Sequence, residues 1–272
     1  MKTFLRIILI TCLFVSFASP SAARKKDKKE EKSYTFIALA EPDLMVTPSV
    51  AHAVVNVPEE AERFYPHRTK YRYGIDVSRY QGTINWDAVR NDRNVSYVYL
   101  KATEGASHVD VRYHYNLNGA RQAGLSVGCY HFFSPTTDAE TQFKNFTRVV
   151  NLDEQDLIPI IDVETVGRSN VKRFRERLSK FLRLVEQHYG IQPIIYTSVN
   201  FYNKYLAGRF SGYKYMIARY GDVEPSLIDD AEFVMWQFTA NGRINGISGA
   251  VDRSRFMDGY HIGDILIKNH KK

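Results

Sequence analysis

From residue 71 onward the chain alternates short apolar runs with amphipathic stretches, the texture of repeated β/α units. The apolar runs predict eight strands, at 73–77, 96–102, 126–133, 157–163, 193–197, 213–219, 233–238 and 250–252. Helices are predicted over 113–123, 138–149 and 171–189. In the last of these, Val171, Phe174, Leu178, Phe181, Leu182, Val185 and Tyr189 recur at spacings of three and four, while Arg and Lys hold the opposite face. Between the later strands the helical signal is weak. The second half of the sheet is therefore expected to be antiparallel in part, or to lack helices, which gives an α/β barrel with fewer than eight helices.

Upstream the pattern changes. Lys2 and Arg6 precede an apolar stretch at 7–18, followed by Ser21-Ala22-Ala23, the small residues a signal peptidase accepts. That stretch is shorter than the ~20 residues of a spanning helix. Residues 1–23 are read as an export signal, which places the protein in the periplasm, the cell envelope or the extracellular space. A lipid on Cys12 is the weaker alternative, because Leu9-Ile10-Thr11 offers no small residue beside the cysteine. Residues 24–70, opened by a charge run at 24–32, are read as a charged linker or N-terminal extension, 71–265 as the barrel and 266–272 as a basic tail.

Of 272 residues, 44% are hydrophobic, enough for a full core. With the signal removed, Cys129 is the one remaining cysteine, so the fold is expected to rest on its core rather than on a disulfide. A formal charge of +7 suits an anionic wall polymer, an anionic membrane or nucleic acid. Export makes nucleic acid the weakest of these, and no nucleic-acid motif is visible.

In a β/α barrel the C-terminal strand ends share one face and carry the chemistry. Asp76 lies in the first strand; Lys101 and Glu104 close the second; Tyr130 and His131 lie in the third; Asp162 and Glu164 end the fourth. Tyr196 follows in the fifth, Arg219 and Tyr220 in the sixth, Trp236 and Gln237 in the seventh, and Asp252 in the eighth. Each alone has a plain structural explanation: Lys101 and Glu104 as a rim ion pair, Tyr130 and Trp236 as core fillers, His131 as a satisfied buried histidine. Their convergence favours a site. Within Ile161-Asp162-Val163-Glu164-Thr165, a continuous strand would put both carboxylates on one face, roughly 6.6 Å of rise apart. Desolvation and mutual repulsion would keep one of them protonated, as a general acid requires. Acids among aromatics suit a carbohydrate. The competing chemistry is a metal-dependent phosphoesterase with Asp76, Asp162, Glu164 and Asp252 as oxygen ligands, disfavoured because His131 is the single histidine at hand.

Asp76-Val77-Ser78-Arg79-Tyr80-Gln81-Gly82 with Ile84-Asn85-Trp86, Lys101-Ala102-Thr103-Glu104-Gly105, Gly128-Cys129-Tyr130-His131-Phe132, Asp162-Val163-Glu164, Trp236-Gln237-Phe238 and Val251-Asp252 together resemble the motifs of glycoside hydrolase family 25. These are the lysozymes of the Chalaropsis type, and the resemblance covers nearly all of 73–256. It implies a flattened TIM-like β/α barrel of eight strands and fewer than eight helices. The implied activity is a muramidase that cleaves the β-1,4 bond between N-acetylmuramic acid and N-acetylglucosamine in peptidoglycan. Carried over, Glu164 is the general acid, Asp162 stands beside it, and Asp76 and Asp252 complete an acidic floor. Glu104, Tyr130 and Trp236 shape the sugar groove, and Tyr196, Arg219 and Gln237 are counted with them as substrate-binding. No metal or cofactor is implied. The expected state is a monomer acting on peptidoglycan glycan strands, without nucleic acid and without stable membrane insertion after signal cleavage.

Met216 stands where the family commonly has tryptophan, and Ser254 where asparagine often follows the closing Asp, departures expected to alter subsite shape. Asn85 is expected to cap a helix. Acid and nucleophile of a two-sided retaining pair lie about 5–5.5 Å apart on opposite sides of the anomeric carbon. Asp162 and Glu164 on one face are badly arranged for that. The expected mechanism is attack by the substrate's own 2-acetamido group, with Asp162 stabilising the oxazolinium and Glu164 protonating the leaving oxygen. The rival reading from another class is a noncatalytic glycan-binding module.

Overall fold

The computed structural model describes residues 73–92, 95–229 and 231–270. The expected export signal, Cys12 and the 24–70 extension lie outside the described residues. Among the described residues nine strands form one sheet: β1 (Tyr73–Val77), β2 (Tyr97–Glu104), β3 (His108–Val109), β4 (Ser126–Phe132), β5 (Ile160–Asp162), β6 (Ile194–Ser198), β7 (Tyr215–Ala218), β8 (Met235–Gly242) and β9 (Val251–Phe256). Pairing of β1 with both β2 and β9 closes eight of them into a barrel, and the two-residue β3 hangs on the end of β2. All neighbours around the ring are parallel except β9, which runs against β8 and β1. Among the described residues the α-helical segments are α1 (Trp86–Asn91), α2 (Tyr113–Gln122), α3 (Ala139–Val149), α4 (Val171–Tyr189) and α5 (Val199–Phe201). Five helices on eight barrel strands match the expected flattened TIM-like barrel.

Strand alternation sorts the core into two layers. One side chain parity, with Val98, Leu100, Cys129, Ile161, Ile195 and Ile217, packs outward against Phe146, Phe174, Leu178, Phe181 and Leu182 of α3 and α4. The other, with Tyr97, Tyr99, Ile160, Ile194, Met216, Met235 and Phe256, fills the barrel. Room for the two tyrosines comes from glycines opposite them in the ladder. Gly74 pairs with Tyr97, where a Cβ would fall 2.0 Å from the ring, and Gly128 pairs with Tyr99, at 2.4 Å. The tyrosine hydroxyls are spoken for. Tyr97 shares a 2.9 Å hydrogen bond with Ser254, and Tyr99 donates to the carbonyl of Ile158 at 3.1 Å.

Local signals start the helices where the sequence suggests. Asn85 accepts from the amide of Ala88, Asp138 from Thr141 and Asn170 from Arg173, each satisfying an amide with no partner inside its helix. Gly190 ends α4 at φ 69°, the left-handed conformation that glycine takes without strain.

Three departures from the sequence expectation have a clear physical cause. The apolar run 157–163 is strand only over Ile160–Asp162. Pro159 has no amide for a ladder, and the half before it turns to the C-terminal segment, with Leu157 bridging Leu266 and Ile158 donating to Ile265. The expected boundary at 265 falls inside that packing, because Leu266 and Ile267 are buried. The last strand runs to Phe256 rather than stopping at 252. Its Arg253 and Arg255 point out of the barrel, where among the described residues cations over aromatic rings replace a helix.

Candidate active site

Alternation along β1 turns Ile75 and Val77 outward and Asp76 into the barrel mouth. The antiparallel register of β9 sets Asp252 directly opposite Asp76. Two carboxyls facing each other on buried strands cannot both ionise cheaply. Burial, then the charge of Asp252, lifts Asp76 to about 8 against the pull of a hydrogen bond from Gln237; burial, then the charge of Glu164, lifts Asp252 to about 6. At neutral pH this pair keeps one proton, held by Asp76.

Gln237 is the hinge of a polar chain across the mouth. Its Nε2 donates to Oδ2 of Asp76 at 3.0 Å, while its Oε1 accepts from the hydroxyls of Tyr196 at 2.8 Å and Tyr220 at 3.2 Å. These contacts fix which end of the amide is which. Tyr196 is held by its own register, opposite Asp162 in the β5–β6 pair.

Asp162 ends β5 and is 8% exposed. No N–H or hydroxyl of the protein satisfies its buried Oδ1. Glu164 lies beyond the strand end, and its side chain is open to solvent, yet enough neighbours surround its carboxyl to raise it above the ordinary glutamate value, with Lys101 opposing. Burial, then the charge of Glu164, pushes Asp162 well above the ordinary aspartate range. The two carboxyls stand close enough for the charge of one to raise the other, so the pair retains a proton more readily than two separate acids would.

Lys101 closes the opposite side. Its Nζ reaches Oε2 of Glu104 at 2.7 Å, lies 5.1 Å from the centre of the Phe132 ring, and draws down the affinity of both Asp162 and Glu164 for protons. Tyr130 is half-buried beside this cluster, close enough that Asp162, Asp76 and Asp252 all oppose its ionisation.

Asp76, Asp162, Glu164, Asp252, Glu104, Tyr130, Tyr196 and Gln237 therefore gather at one mouth. Trp236 and Arg219 do not join them. Met235 and Gln237 point into the barrel, so Trp236 between them points out, under the guanidinium of Arg255 at 4.8 Å, with its Nε1 donating to the carbonyl of Arg219 at 2.7 Å. The Arg219 side chain donates to the carbonyl of Glu224 at 2.8 Å and ties down the loop after β7. His131 also lies outside the mouth, buried between Thr103 and Gln142 and held neutral by desolvation, its pKa lowered to about 4. Met216 and Ser254 belong to the packed interior, with exposures of 1% and 0%, so neither lines an open subsite. Lys101 and Tyr220, which the sequence places among the converging strand-end residues without a role, also reach this mouth. The inward parity that Lys101 shares with Tyr97 and Tyr99 carried the signal for the first.

A closed barrel whose mouth holds four carboxyls of raised proton affinity and partly exposed tyrosines is suited to acid-assisted cleavage of a polar chain. A sequence profile of "Glycosyl hydrolases family 25" matches residues 75–247. The chain belongs to glycosyl hydrolase family 25. It is 37% identical over 188 residues to the "Uncharacterized protein YegX" of Escherichia coli K12, covering 68% of this chain and 69% of that one. It is 33% identical over 197 residues to the "Autolytic lysozyme" of Clostridium acetobutylicum, covering 71% of this chain and 58% of the relative. Among solved structures it resembles the bacterial lysozyme from Streptomyces coelicolor at 28% identity and a TM-score of 0.65, covering 75% of this chain and 98% of that one. The protein is thus a glycoside hydrolase of a lysozyme family. In this family 25 barrel the Asp162–Glu164 pair stands at the end of β5, beside the fixed Gln237 chain.

Proposed function

We propose that this protein is a peptidoglycan muramidase that hydrolyses the β-1,4 bond between N-acetylmuramic acid and N-acetylglucosamine and retains the anomeric configuration with help from the substrate's acetamido group. The observation that carries this reading is the placement of buried Asp162, whose Oδ1 no protein donor satisfies, beside solvent-open Glu164 at the end of one strand. In the free enzyme burial favours the proton on Asp162. A sugar laid over the mouth takes water away from Glu164, raises its proton affinity and draws the proton outward. Glu164 then protonates the leaving oxygen. Asp162, left ionised, accepts from the acetamido N–H, which orients the carbonyl oxygen toward the anomeric carbon and stabilises the oxazolinium that forms. Water opens this intermediate with Glu164 acting as base. Both acids come from one strand end, which leaves the other face of the ring without a protein nucleophile from this pair.

Asp76 and Asp252 form the floor, with Gln237, Tyr196 and Tyr220 as the hydrogen-bonding wall. Relatives that bear the name lysozyme support the substrate class. The deciding test is mass spectrometry of fragments released from a defined peptidoglycan. Muramic acid at every new reducing end is expected; glucosamine there, or no cleavage, refutes the proposal.

A further inference from the structure

The solvent face of α4 carries Lys172, Arg173, Arg175, Arg177, Lys180 and Arg183 against Glu176 and Glu186. Some of these cations are committed. Lys180 pairs with Glu140, the Nε of Arg175 donates to the carbonyl of Tyr205 at 2.8 Å, and Arg177 donates to the carbonyl of Pro135 at 2.7 Å. Lys172, Arg173, Arg183 and, across from them, Arg209 are exposed and make no ion pair among the described residues. Between α4 and the turn before β7 runs a groove of about 540 Å³ lined by Lys172, Arg175, Arg183 and Arg209, with Glu176 as its one carboxylate. From Lys172 to Arg183 it extends about 16 Å along the helix. Its upper end is the start of α4, eight residues after Val163 leaves the barrel, on the side where Glu164 stands.

We propose that this groove is a second, noncatalytic track for a linear polyanion of the cell wall, a chain bearing phosphodiester or uronate charges, which holds the enzyme beside its glycan. Cations spaced along a groove match charges that repeat along a chain. A membrane surface fits less well, because stable docking there couples cations to inserted apolar side chains. The large exposed hydrophobics among the described residues are Tyr80, Val111, Tyr115, Tyr220, Val223 and Ile228, and none lies on α4. Nucleic acid fits less well too. The groove's one aromatic, Phe210, is 7% exposed and offers no free ring for base stacking.

The test is binding of the full chain to purified poly(glycerol phosphate) and to polygalacturonate, across a range of salt concentrations, beside a variant combining Lys172→Gln, Arg183→Gln and Arg209→Gln. These three residues line the groove and lie outside the catalytic mouth, so turnover of a short uncharged glycan should be unchanged. At least one polymer is expected to bind with steep salt dependence, and the variant is expected to bind it on the order of tenfold or more weakly with a shallower slope. Equal binding by parent and variant overturns the proposal, as does failure of both polymers to bind. So does tighter, variant-sensitive binding to DNA or to phosphatidylglycerol vesicles. Because binding is read without turnover, these outcomes are separate from the fate of the muramidase reading.

Discussion

Asp76 faces Asp252 in the β1–β9 ladder, and Gln237 donates a 3.0 Å hydrogen bond to the first of them. The arrangement stores a titration. Asp76 titrates at about 8 in the fold against 3.8 ordinarily, so its contribution to stability is whole below about pH 4 and lost as the pH rises toward 8. Asp76→Asn keeps the shape and the acceptor for Gln237. It is expected to stabilise the protein at about pH 9 by on the order of a few kcal/mol and to be neutral near pH 4. Denaturant unfolding at the two pH values checks this.

Glu164→Gln removes the proposed proton donor at an exposed position. Turnover of peptidoglycan is expected to fall by about 10²-fold or more, with glycan binding and unfolding midpoint retained. Full residual activity in a turbidity assay would take the acid's role away from Glu164.

Lys101 lowers the proton affinity of both members of the Asp162–Glu164 pair. In the proposed mechanism the form competent for turnover holds one proton on that pair, so activity is expected to decline as pH rises through the pair's upper titration. Lys101→Gln is expected to move this alkaline limb to higher pH. A limb that stays in place, or moves lower, would separate Lys101 from the acids.

Trp236 packs under Arg255 on the outside of the wall. Trp236→Phe loses one hydrogen bond and weakens a cation–π contact, so it is expected to cost about 1–2 kcal/mol of stability. KM for the glycan should stay within about twofold of the parent. A large KM effect at unchanged stability would restore the tryptophan to the groove.

Much of this was legible along the chain because alternation and strand-end position are sequence properties. The eight barrel strands, the three long helices and the convergence of Asp76, Asp162 and Glu164 follow from them; Asp252 reaches the mouth for a different reason, because β9 runs antiparallel and brings the start of that strand to the site. Residue type and motif put Trp236 in the groove, whereas its parity, one step from Gln237, points it outward. The second half of β9 was missed for a related reason. Arg253 and Arg255 alternate with inward Ser254 and Phe256, and a strand whose outer face is covered by its own cations over rings does not read as an apolar run. Pro159 shortened β5, and the partner of Leu157 and Ile158 lay more than a hundred residues away, in contacts no local pattern encodes.

Attack by the substrate's own acetamido oxygen is the centre of the account, and its dependence on that oxygen's nucleophilicity can be measured. Turnover of a series of muramidase substrates whose 2-acetamido group carries zero, one, two or three fluorines is expected to fall steeply with each fluorine, while binding changes little. A rate indifferent to fluorination would contradict substrate assistance and require a nucleophile from the protein.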